Sequence, residues 1–270
     1  MQASVWSPPV APREVTRFFR ALADETRLVI VRLLALSDLR AGELVETLHL
    51  PANAVSYHLK QLRALGVLQD RRSSADARDI YYRVDLERLQ SLYVSAGDAL
   101  HPGLAGGPEG QAAATDAEET AARPLRVLFL CTHNSARSQL AEGIMRQMGG
   151  DQVEVYSAGS MPTEVHPDTV ALLRQLGIDP ARYQAKPLEA FAGQSFDYII
   201  TVCDRVREHC PVFPGDPVQI HWSMPDPVAI DDPERRQRAF RDIARDLTTR
   251  IRYLLLLPHP ATGQRLRLRS

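Results

Sequence analysis

The chain has 270 residues, 32 Lys and Arg against 33 Asp and Glu, and a net charge of −1. This length suffices for two domains, and a near-zero charge selects no partner by bulk electrostatics, so any basic patch must be local. No apolar run is long enough to span a membrane, and residues 1–13 lack the apolar segment of a signal peptide, so we expect a cytoplasmic protein with no membrane partner. Three cysteines in a reducing compartment indicate thiol chemistry rather than a disulfide framework.

Residues 1–96 are predicted to contain a helix-turn-helix. Apolar side chains Val15, Phe18, Phe19 and Leu22 mark one helix, and a second, capped by residues 24–26, carries Leu28, Val31 and Leu34. A short helix over 43–48 and a turn at 50–53 precede a helix over 54–63, with Val55, Leu59 and Leu62 towards the core. The polar residues off that stripe are predicted to enter the major groove of DNA: Ser56, Tyr57, His58, Lys60 and Arg63.

A β-hairpin wing is predicted to follow. Residues 67–68 and 80–84 have the composition of two strands, and the basic loop between them places Arg71, Arg72 and Arg78 for phosphate or minor-groove contact. The alternative is a helical module whose solvated basic loop contacts proteins. DNA binding is favoured because the two helices, the wing and the arginines occur together and in order.

This region resembles the arsenical-repressor (ArsR) family in residues 22–28, in residues 55–62 and in the wing that ends at Tyr81 and Tyr82. The resemblance implies a homodimeric repressor, paired through this domain, that an inducer releases from a DNA operator. Arsenic-sensing members often carry a cysteine pair on the helix before the recognition helix. Residues 42–48 contain no cysteine, so the usual thiolate sensor is absent and the inducer stays open.

Residues 97–123 are predicted to be a flexible linker. The segment is rich in Gly and Ala and carries one Lys or Arg against five Asp and Glu. As a random coil it would span on the order of 30 Å.

Residues 124–270 alternate between strand and helix patterns, which predicts an α/β domain with a parallel sheet. Strands are expected at 125–130, 153–156, 197–202 and 218–221, and helices after residue 137, over 166–176 and over 233–257. Cys131 and Cys203 each end a strand, so both sulfurs are expected at the carboxyl edge of the sheet.

The stretch from Leu125 to Gly143 carries the chemistry. A buried strand ends at Cys131, and five residues later Arg137 and Ser138 open a helix. Backbone N–H groups at such a helix start bind a tetrahedral oxyanion, Arg137 offers a planar fork for two of its oxygens, and the same field should stabilise the Cys131 thiolate. The predicted substrate-binding residues are Thr132, His133, Asn134, Ser135, Ala136, Arg137 and Ser138.

This stretch resembles the signature loop of the low-molecular-weight protein tyrosine phosphatase fold. The resemblance implies that Asp226, followed by Pro227, is the general acid. The alternative for Cys131 is a structural cysteine beside an incidental arginine, and the alternative for Asp226 is an ordinary turn aspartate.

Cys203 and Cys210 are two further thiols, which a phosphatase does not need. Three thiols allow a relay of exchange steps, and residues 125–257 resemble the thioredoxin-coupled arsenate reductases. That resemblance implies that Cys131 attacks arsenate, Cys203 then attacks Cys131, and Cys210 resolves the disulfide for a thioredoxin-like reductant.

The same resemblance assigns supporting residues. Asn134 would brace the loop and Ser138 would hold the thiolate. Glu142 and Ser157 match positions that bind a potassium ion in some members, and no tightly bound cofactor is expected otherwise. His133 and Ala136 stand where glycine and cysteine are frequent.

The sequence thus predicts a multidomain protein, a winged helix-turn-helix regulator fused to an arsenate reductase of the low-molecular-weight phosphatase type. One alternative is a regulator fused to a protein tyrosine phosphatase, in which Cys203 and Cys210 are dispensable. The other is a repressor whose second domain only senses arsenic or redox state.

Overall fold

The structure is a computed structural model of the chain, and it describes residues 12–100, 123–208, 213–260 and 263. These residues divide into two compact units. The first comprises residues 12–71 and 80–100, and the second comprises residues 123–263 together with 72–79. Within the described parts of the chain, no helix combines the length and the apolar character needed to cross a membrane.

The amino-terminal part is a winged helix-turn-helix. Its described elements, in chain order, are α1 (Pro12–Leu22), α2 (Glu25–Leu36), β1 (Leu39–Arg40), α3 (Ala41–Leu48), α4 (Ala52–Ala64), β2 (Leu68–Arg72), β3 (Ile80–Val84) and α5 (Leu86–Leu100). Strand β3 lies between β1 and β2, and it pairs with β1 in antiparallel fashion. The predicted recognition helix and wing are therefore both present, the wing strand β2 being longer than expected.

The core of this part differs from the predicted helix faces in two places. Ile30, Val31 and Leu34 of α2 are buried, whereas Leu28 is 44% exposed. On α1, Phe18 is buried but Phe19 is 45% exposed. Both exposed residues were predicted to face the core. Helical spacing alone cannot tell which flank of a stripe the neighbours cover, and here α1, α4 and β3 pack on the Ile30 side of α2.

The predicted linker begins later than expected. Helix α5 continues to Leu100, so residues 97–100 are helical, and Ala96 and Ala99 pack against the core. The helix persists because alanine favours helix and these two side chains still have a core to bury against. The rest of the predicted linker, residues 101–122, lies outside the described residues.

The carboxyl-terminal part is the expected α/β fold. Its described elements are β4 (Leu125–Cys131), α6 (Arg137–Gly149), β5 (Val153–Gly159), α7 (Pro167–Gln175), β6 (Tyr198–Thr201), α8 (Asp204–Glu208), β7 (Val218–His221) and α9 (Pro233–Leu255). The sheet has the order β5-β4-β6-β7, and all of its pairings are parallel. Strand β4 lies in the interior of the sheet, between β5 and β6, and its run of apolar side chains is buried.

The register of the sheet places the site. Cys131 is opposite Gly159 of β5, and Leu130 is opposite Thr201 at the end of β6. The carboxyl ends of β4, β5 and β6 therefore lie side by side. Loops that leave these ends meet at one edge, which is where ligands bind in open parallel sheets.

Candidate active site

The Cys131 sulfur sits inside the loop that joins β4 to α6. The backbone N–H of Asn134 donates to Sγ at 3.1 Å, and Ser138 Oγ lies 2.8 Å from the same sulfur. Cys131 itself is buried. Residues 131–138, called the signature loop below, thus wrap the sulfur with polar groups rather than with apolar side chains.

The outer side of the signature loop is fixed by backbone hydrogen bonds. The carbonyl oxygens of Thr132, His133 and Ser135 accept from the N–H groups of Met161, Thr163 and His166 at 2.8–3.0 Å. Carbonyls that face outwards leave the concave side of such a loop to N–H groups, which suits an anion.

Gly159 allows the loop to approach β5 closely. A Cβ at this position would stand 2.7 Å from the Thr132 carbonyl oxygen and 2.8 Å from the Asn134 nitrogen. Both are backbone atoms, so the signature loop would have to move to admit a side chain.

Asn134 holds the turn of the loop. Its φ of 48° lies in the left-handed region, which Asn tolerates better than most residues. The side-chain amide donates to Ser138 Oγ at 2.9 Å and to Ser157 Oγ at 2.8 Å. Its Oδ1 accepts from the backbone N–H of Lys186 at 2.7 Å. The turn that aims the Asn134 N–H at Cys131 is therefore braced from several elements.

Glu142 lies behind this brace. Its Oε2 accepts from Ser157 Oγ at 2.6 Å and lies 3.3 Å from Lys186 Nζ, while Oε1 accepts from Arg146 at 2.8 Å. Two positive groups thus compensate one buried carboxylate, as a buried charge requires.

Sequence reasoning missed Gln139 and Lys186. The Gln139 amide donates to Asn134 O and Asn134 Oδ1, and also to Gln184 O. No local pattern indicated Lys186, because its partners Asn134 and Glu142 lie 52 and 44 residues away in the chain. The contact of Gln139 with Gln184 likewise spans 45 residues. The unusual signal was a polar Gln on the buried start of a helix.

Arg137 is positioned beside the predicted general acid. Its Nη2 lies 3.2 Å from Asp226 Oδ2, and its Nη1 donates to the Met224 carbonyl oxygen at 3.1 Å. Arg137 is buried, whereas the Asp226 side chain is 35% exposed. The structure thus brings Cys131, Arg137 and Asp226 to one edge, with the arginine held by the aspartate.

The electrostatics of Cys131 differ from the expected thiolate stabilisation. Burial raises the pKa of the Cys131 thiol above its ordinary value of 9.0, and the neighbouring Cys203 acts in the same direction. Arg137, Ser138 and the Asn134 N–H lower this pKa but do not outweigh burial. The physical reason is that the arginine charge is shared with Asp226, whereas the desolvation of the sulfur is complete.

Cys203 lies next to the signature loop. It follows the end of β6 and is buried, with its Sγ 3.3 Å from Thr132 Oγ1. Thr132, the residue that follows Cys131, therefore contacts Cys203 through its hydroxyl group. Cys210, the third predicted thiol, lies outside the described residues.

A buried polar cluster anchors the chain immediately after Cys203. Asp204 begins α8 and accepts from Ser223 Oγ at 2.7 Å, and its Oδ1 lies 3.1 Å from His221 Nε2. The other ring nitrogen of His221 lies 2.8 Å from Thr201 Oγ1. The segment between Thr201 and Asp204 is thus tied to β7 on both sides of Cys203.

The predicted DNA-contacting residues are mostly exposed. Ser56, Tyr57, Lys60 and Arg63 on α4 are exposed, and Arg63 pairs with Asp70 at 2.9 Å. In the wing, Arg71 is half-buried, while the exposed Arg72 and Arg78 are held by Ala77 O and by the Asp76 carboxylate.

His58 is the exception among them. Its side chain is only 14% exposed, and its Nδ1 lies 3.7 Å from Asp24 Oδ1 at the start of α2. The prediction that His58 enters the major groove does not fit this orientation. His58 follows Val55 by three positions, which turns it towards the core side of α4.

Residues 126–266 match the family described as low molecular weight phosphotyrosine protein phosphatase, and these residues make up more than half of the chain. The chain belongs to this family. Within the low molecular weight phosphatase family it carries an additional amino-terminal domain, because residues 24–70 match the bacterial regulatory protein, arsR family. An ArsR-family helix-turn-helix is thus fused to a phosphatase-type domain.

Three similar proteins are named arsenate reductases, whereas the family is named for phosphatases. The chain is 32% identical over 127 residues to an arsenate reductase of Halalkalibacterium halodurans. This match covers 47% of this chain and 91% of that protein. It is 33% identical over 120 residues to an arsenate reductase of Bacillus subtilis, with coverage of 44% and 86%. A solved structure, the thioredoxin-dependent arsenate reductase of Corynebacterium glutamicum, is 26% identical with a TM-score of 0.39, covering 79% of this chain and 92% of that one.

Proposed function

We propose that the carboxyl-terminal domain reduces arsenate to arsenite through Cys131, Cys203 and Cys210. The observation that carries the proposal is the pairing of an oxyanion-type loop around Cys131 with a second thiol, Cys203, next to the same loop. A phosphatase needs the first and not the second. The curated relatives at 32–33% identity, named arsenate reductases, support the same chemistry.

The first step forms a sulfur–arsenic bond. Arsenate enters the signature loop, where N–H groups and Arg137 bind its oxygens, and Arg137 exchanges Asp226 for the anion. Cys131 gives its thiol proton to the bound arsenate dianion, and the resulting thiolate attacks arsenic. One arsenate hydroxyl group leaves as water with a proton from Asp226. Arsenic is still pentavalent in this Cys131 adduct.

The second step carries the reduction. The Cys203 thiolate attacks Cys131 Sγ, the sulfur–arsenic bond breaks, and its electron pair stays on arsenic, which leaves as arsenite. The product is a Cys131–Cys203 disulfide. The Cys210 thiolate then attacks Cys203, which frees Cys131 and leaves a Cys203–Cys210 disulfide for a thioredoxin-like dithiol.

Arsenate-dependent NADPH oxidation, coupled through thioredoxin and thioredoxin reductase, tests this proposal. The parent should turn over, and both Cys131→Ser and Cys210→Ser should lose turnover. In a single turnover, Cys210→Ser should still release one arsenite per chain, whereas Cys131→Ser should release none. Multiple turnover by Cys210→Ser would contradict the three-thiol relay.

The second candidate is a protein tyrosine phosphatase, which the family match and the Arg137–Asp226 arrangement favour. It predicts hydrolysis of an aryl phosphate that depends on Cys131 and survives both Cys203→Ser and Cys210→Ser. Parallel assays of aryl phosphate and arsenate on the same preparations decide between the two reactions.

We propose that the amino-terminal domain binds operator DNA as a homodimer. The match of residues 24–70 and the exposed polar face of α4 support DNA binding. Large apolar side chains exposed on α1, α2 and α5, namely Phe19, Leu28 and Tyr93, are surface that a second copy would cover. Sedimentation of the full chain, alone and with DNA, tests both statements.

A coupling between the domains is a further hypothesis. Arsenite capture or disulfide formation among Cys131, Cys203 and Cys210 would change DNA affinity, which would supply the sensor that the first domain lacks. A triple serine variant that responded to arsenic on DNA like the parent would rule this coupling out.

A further inference from the structure

Lys186 is an unusual residue in this chain. The sequence contains 32 basic residues of the Lys and Arg types, and only two of them, Lys60 and Lys186, are lysines. The Lys186 ammonium lies 3.3 Å from Glu142 Oε2 and donates to Gln184 O at 3.1 Å. Its partner carboxylate is 4% exposed. One of two lysines thus compensates a buried charge directly behind the signature loop.

The resemblance to arsenate reductases placed a potassium ion at Glu142 and Ser157, and the contacts of these residues do not fit that ion. Glu142 Oε2 already accepts from Ser157 Oγ and faces the Lys186 ammonium, while Oε1 is paired with Arg146. A potassium ion at this carboxylate would lie beside a fixed positive charge and would compete for oxygens that are already occupied.

We propose that Lys186 takes the place of a bound potassium ion in this chain. An ammonium group is a compact single positive charge with three donors, close to potassium in size, whereas a guanidinium is a planar fork. It therefore compensates the carboxylate as the ion would, but it is tethered to the chain and cannot dissociate. Lys186 acts as a positioning residue and does not contact the reacting atoms.

The contacts run from Lys186 to the nucleophile without a gap. The ammonium faces Glu142, Glu142 accepts from Ser157, and Ser157 Oγ accepts from the Asn134 amide. The Asn134 N–H then donates to Cys131 Sγ. The backbone N–H of Lys186 also donates to Asn134 Oδ1 at 2.7 Å, so both ends of this residue brace the same turn.

The expected property is indifference to the type of monovalent cation. Thermal unfolding midpoints and the affinity for inorganic phosphate are measured on the full chain in KCl, NaCl and choline chloride at equal ionic strength. The parent should give the same values in all three salts. This part of the test needs no variant, and a potassium-selective rise in the parent midpoint or phosphate affinity overturns the proposal.

Lys186→Met removes the charge while keeping an unbranched side chain, and Lys186→Gln is the second variant. In choline chloride each should unfold about 4 °C lower than the parent and bind phosphate about fivefold more weakly. KCl should restore both values more fully than NaCl, because the vacated position then admits an ion. Arg245→Met, which removes an exposed charge from α9, is the matched control and should show no salt selectivity.

A loss in the Lys186 variants that no potassium concentration restores would reduce Lys186 to an ordinary ion pair and overturn the proposal. The inference rests on the proposed function only in using the signature loop as an oxyanion site. Because neither readout requires turnover, a failure of arsenate reduction and a failure of the Lys186 proposal are distinguishable.

Discussion

Thr132 Oγ1 lies 3.3 Å from Cys203 Sγ, although the two residues follow different strands of the sheet. Thr132 is also the residue directly after Cys131. The Thr132 side chain therefore contacts Cys203, the thiol that we propose attacks Cys131. A hydroxyl in this position can donate to the Cys203 thiolate and orient it before disulfide formation.

We expect Thr132→Val to slow the release of arsenite. Valine keeps the shape of threonine but removes the hydroxyl, and one hydrogen bond worth about 1 kcal/mol corresponds to about a fivefold loss of rate. Single-turnover arsenite release measures this step. Thr47→Val, at an exposed threonine on α3, is the control and should keep the parent rate. Equal rates for both variants would show that the Thr132 contact has no role.

The pH dependence of Cys131 follows from its burial. Because burial raises its pKa above 9.0, alkylation of Cys131 by iodoacetamide should be slow at neutral pH and should rise only at alkaline pH. Asp226→Asn frees Arg137 from its ion pair and should shift the alkylation profile to lower pH. Rapid alkylation of the parent at pH 7, with no oxyanion added, would contradict the assigned direction.

The same pKa shift has a sign for stability. A thiol whose pKa is raised in the folded state contributes stability that is fully present below the unfolded pKa. That contribution is lost as the pH rises from about 9 towards the folded pKa. The thermal unfolding midpoint of the parent should therefore fall above pH 9, and the fall should be smaller in Cys131→Ser.

Gly159 should be required for activity more than for stability. A Cβ at this position meets Thr132 O and Asn134 N at under 3.0 Å, so Gly159→Ala pushes the signature loop away from β5. Displacing a catalytic loop by about 1 Å costs on the order of 100-fold in kcat/KM. Gly42→Ala, where no atom lies within 4 Å of the added methyl group, should keep the parent kcat/KM. A fully active Gly159→Ala would show that the loop adapts.

At position 134 the order of stability should be Asn, then Gly, then Ala. Both variants lose the four side-chain hydrogen bonds of Asn134, at a cost of about 2–4 kcal/mol. Alanine also occupies the left-handed region at φ 48°, which costs about 1 kcal/mol more than glycine. Urea unfolding of the two variants measures the difference. An alanine variant as stable as the glycine variant would mean that the turn relaxes.

On the recognition helix, Lys60 and His58 should behave differently. Lys60→Ala should weaken binding to double-stranded DNA and lower the slope of log K against log salt concentration by about 1. His58→Ala should leave that slope unchanged and lower the unfolding midpoint instead, because its side chain packs against the start of α2. Titrations at several salt concentrations separate the two effects.

The sequence was most informative where a local pattern sets the structure. The strand over 218–221 and the loop from Cys131 to Ser138 follow directly from apolar runs and from the spacing of Cys131 and Arg137. The role of Lys186 and the contact of Gln139 with Gln184 could not be predicted in this way, since these partners lie far along the chain and only the fold brings them together. His58 and Leu28 were misassigned for a related reason, because helical spacing defines a stripe but not its edges.

The two thiols of the described chain have different places in the fold, because Cys131 ends the central strand β4 and Cys203 lies between β6 and α8. Cys131 ends a seven-residue strand that is paired along its length with β5, whereas Cys203 is followed by α8, of which the structure describes five residues. Opening one turn of helix is a local fluctuation, while opening β4 would dismantle the centre of the sheet. Opening residues 204–208 is therefore a smaller change than opening β4, so the relay that we propose can expose Cys203 while the signature loop keeps its geometry.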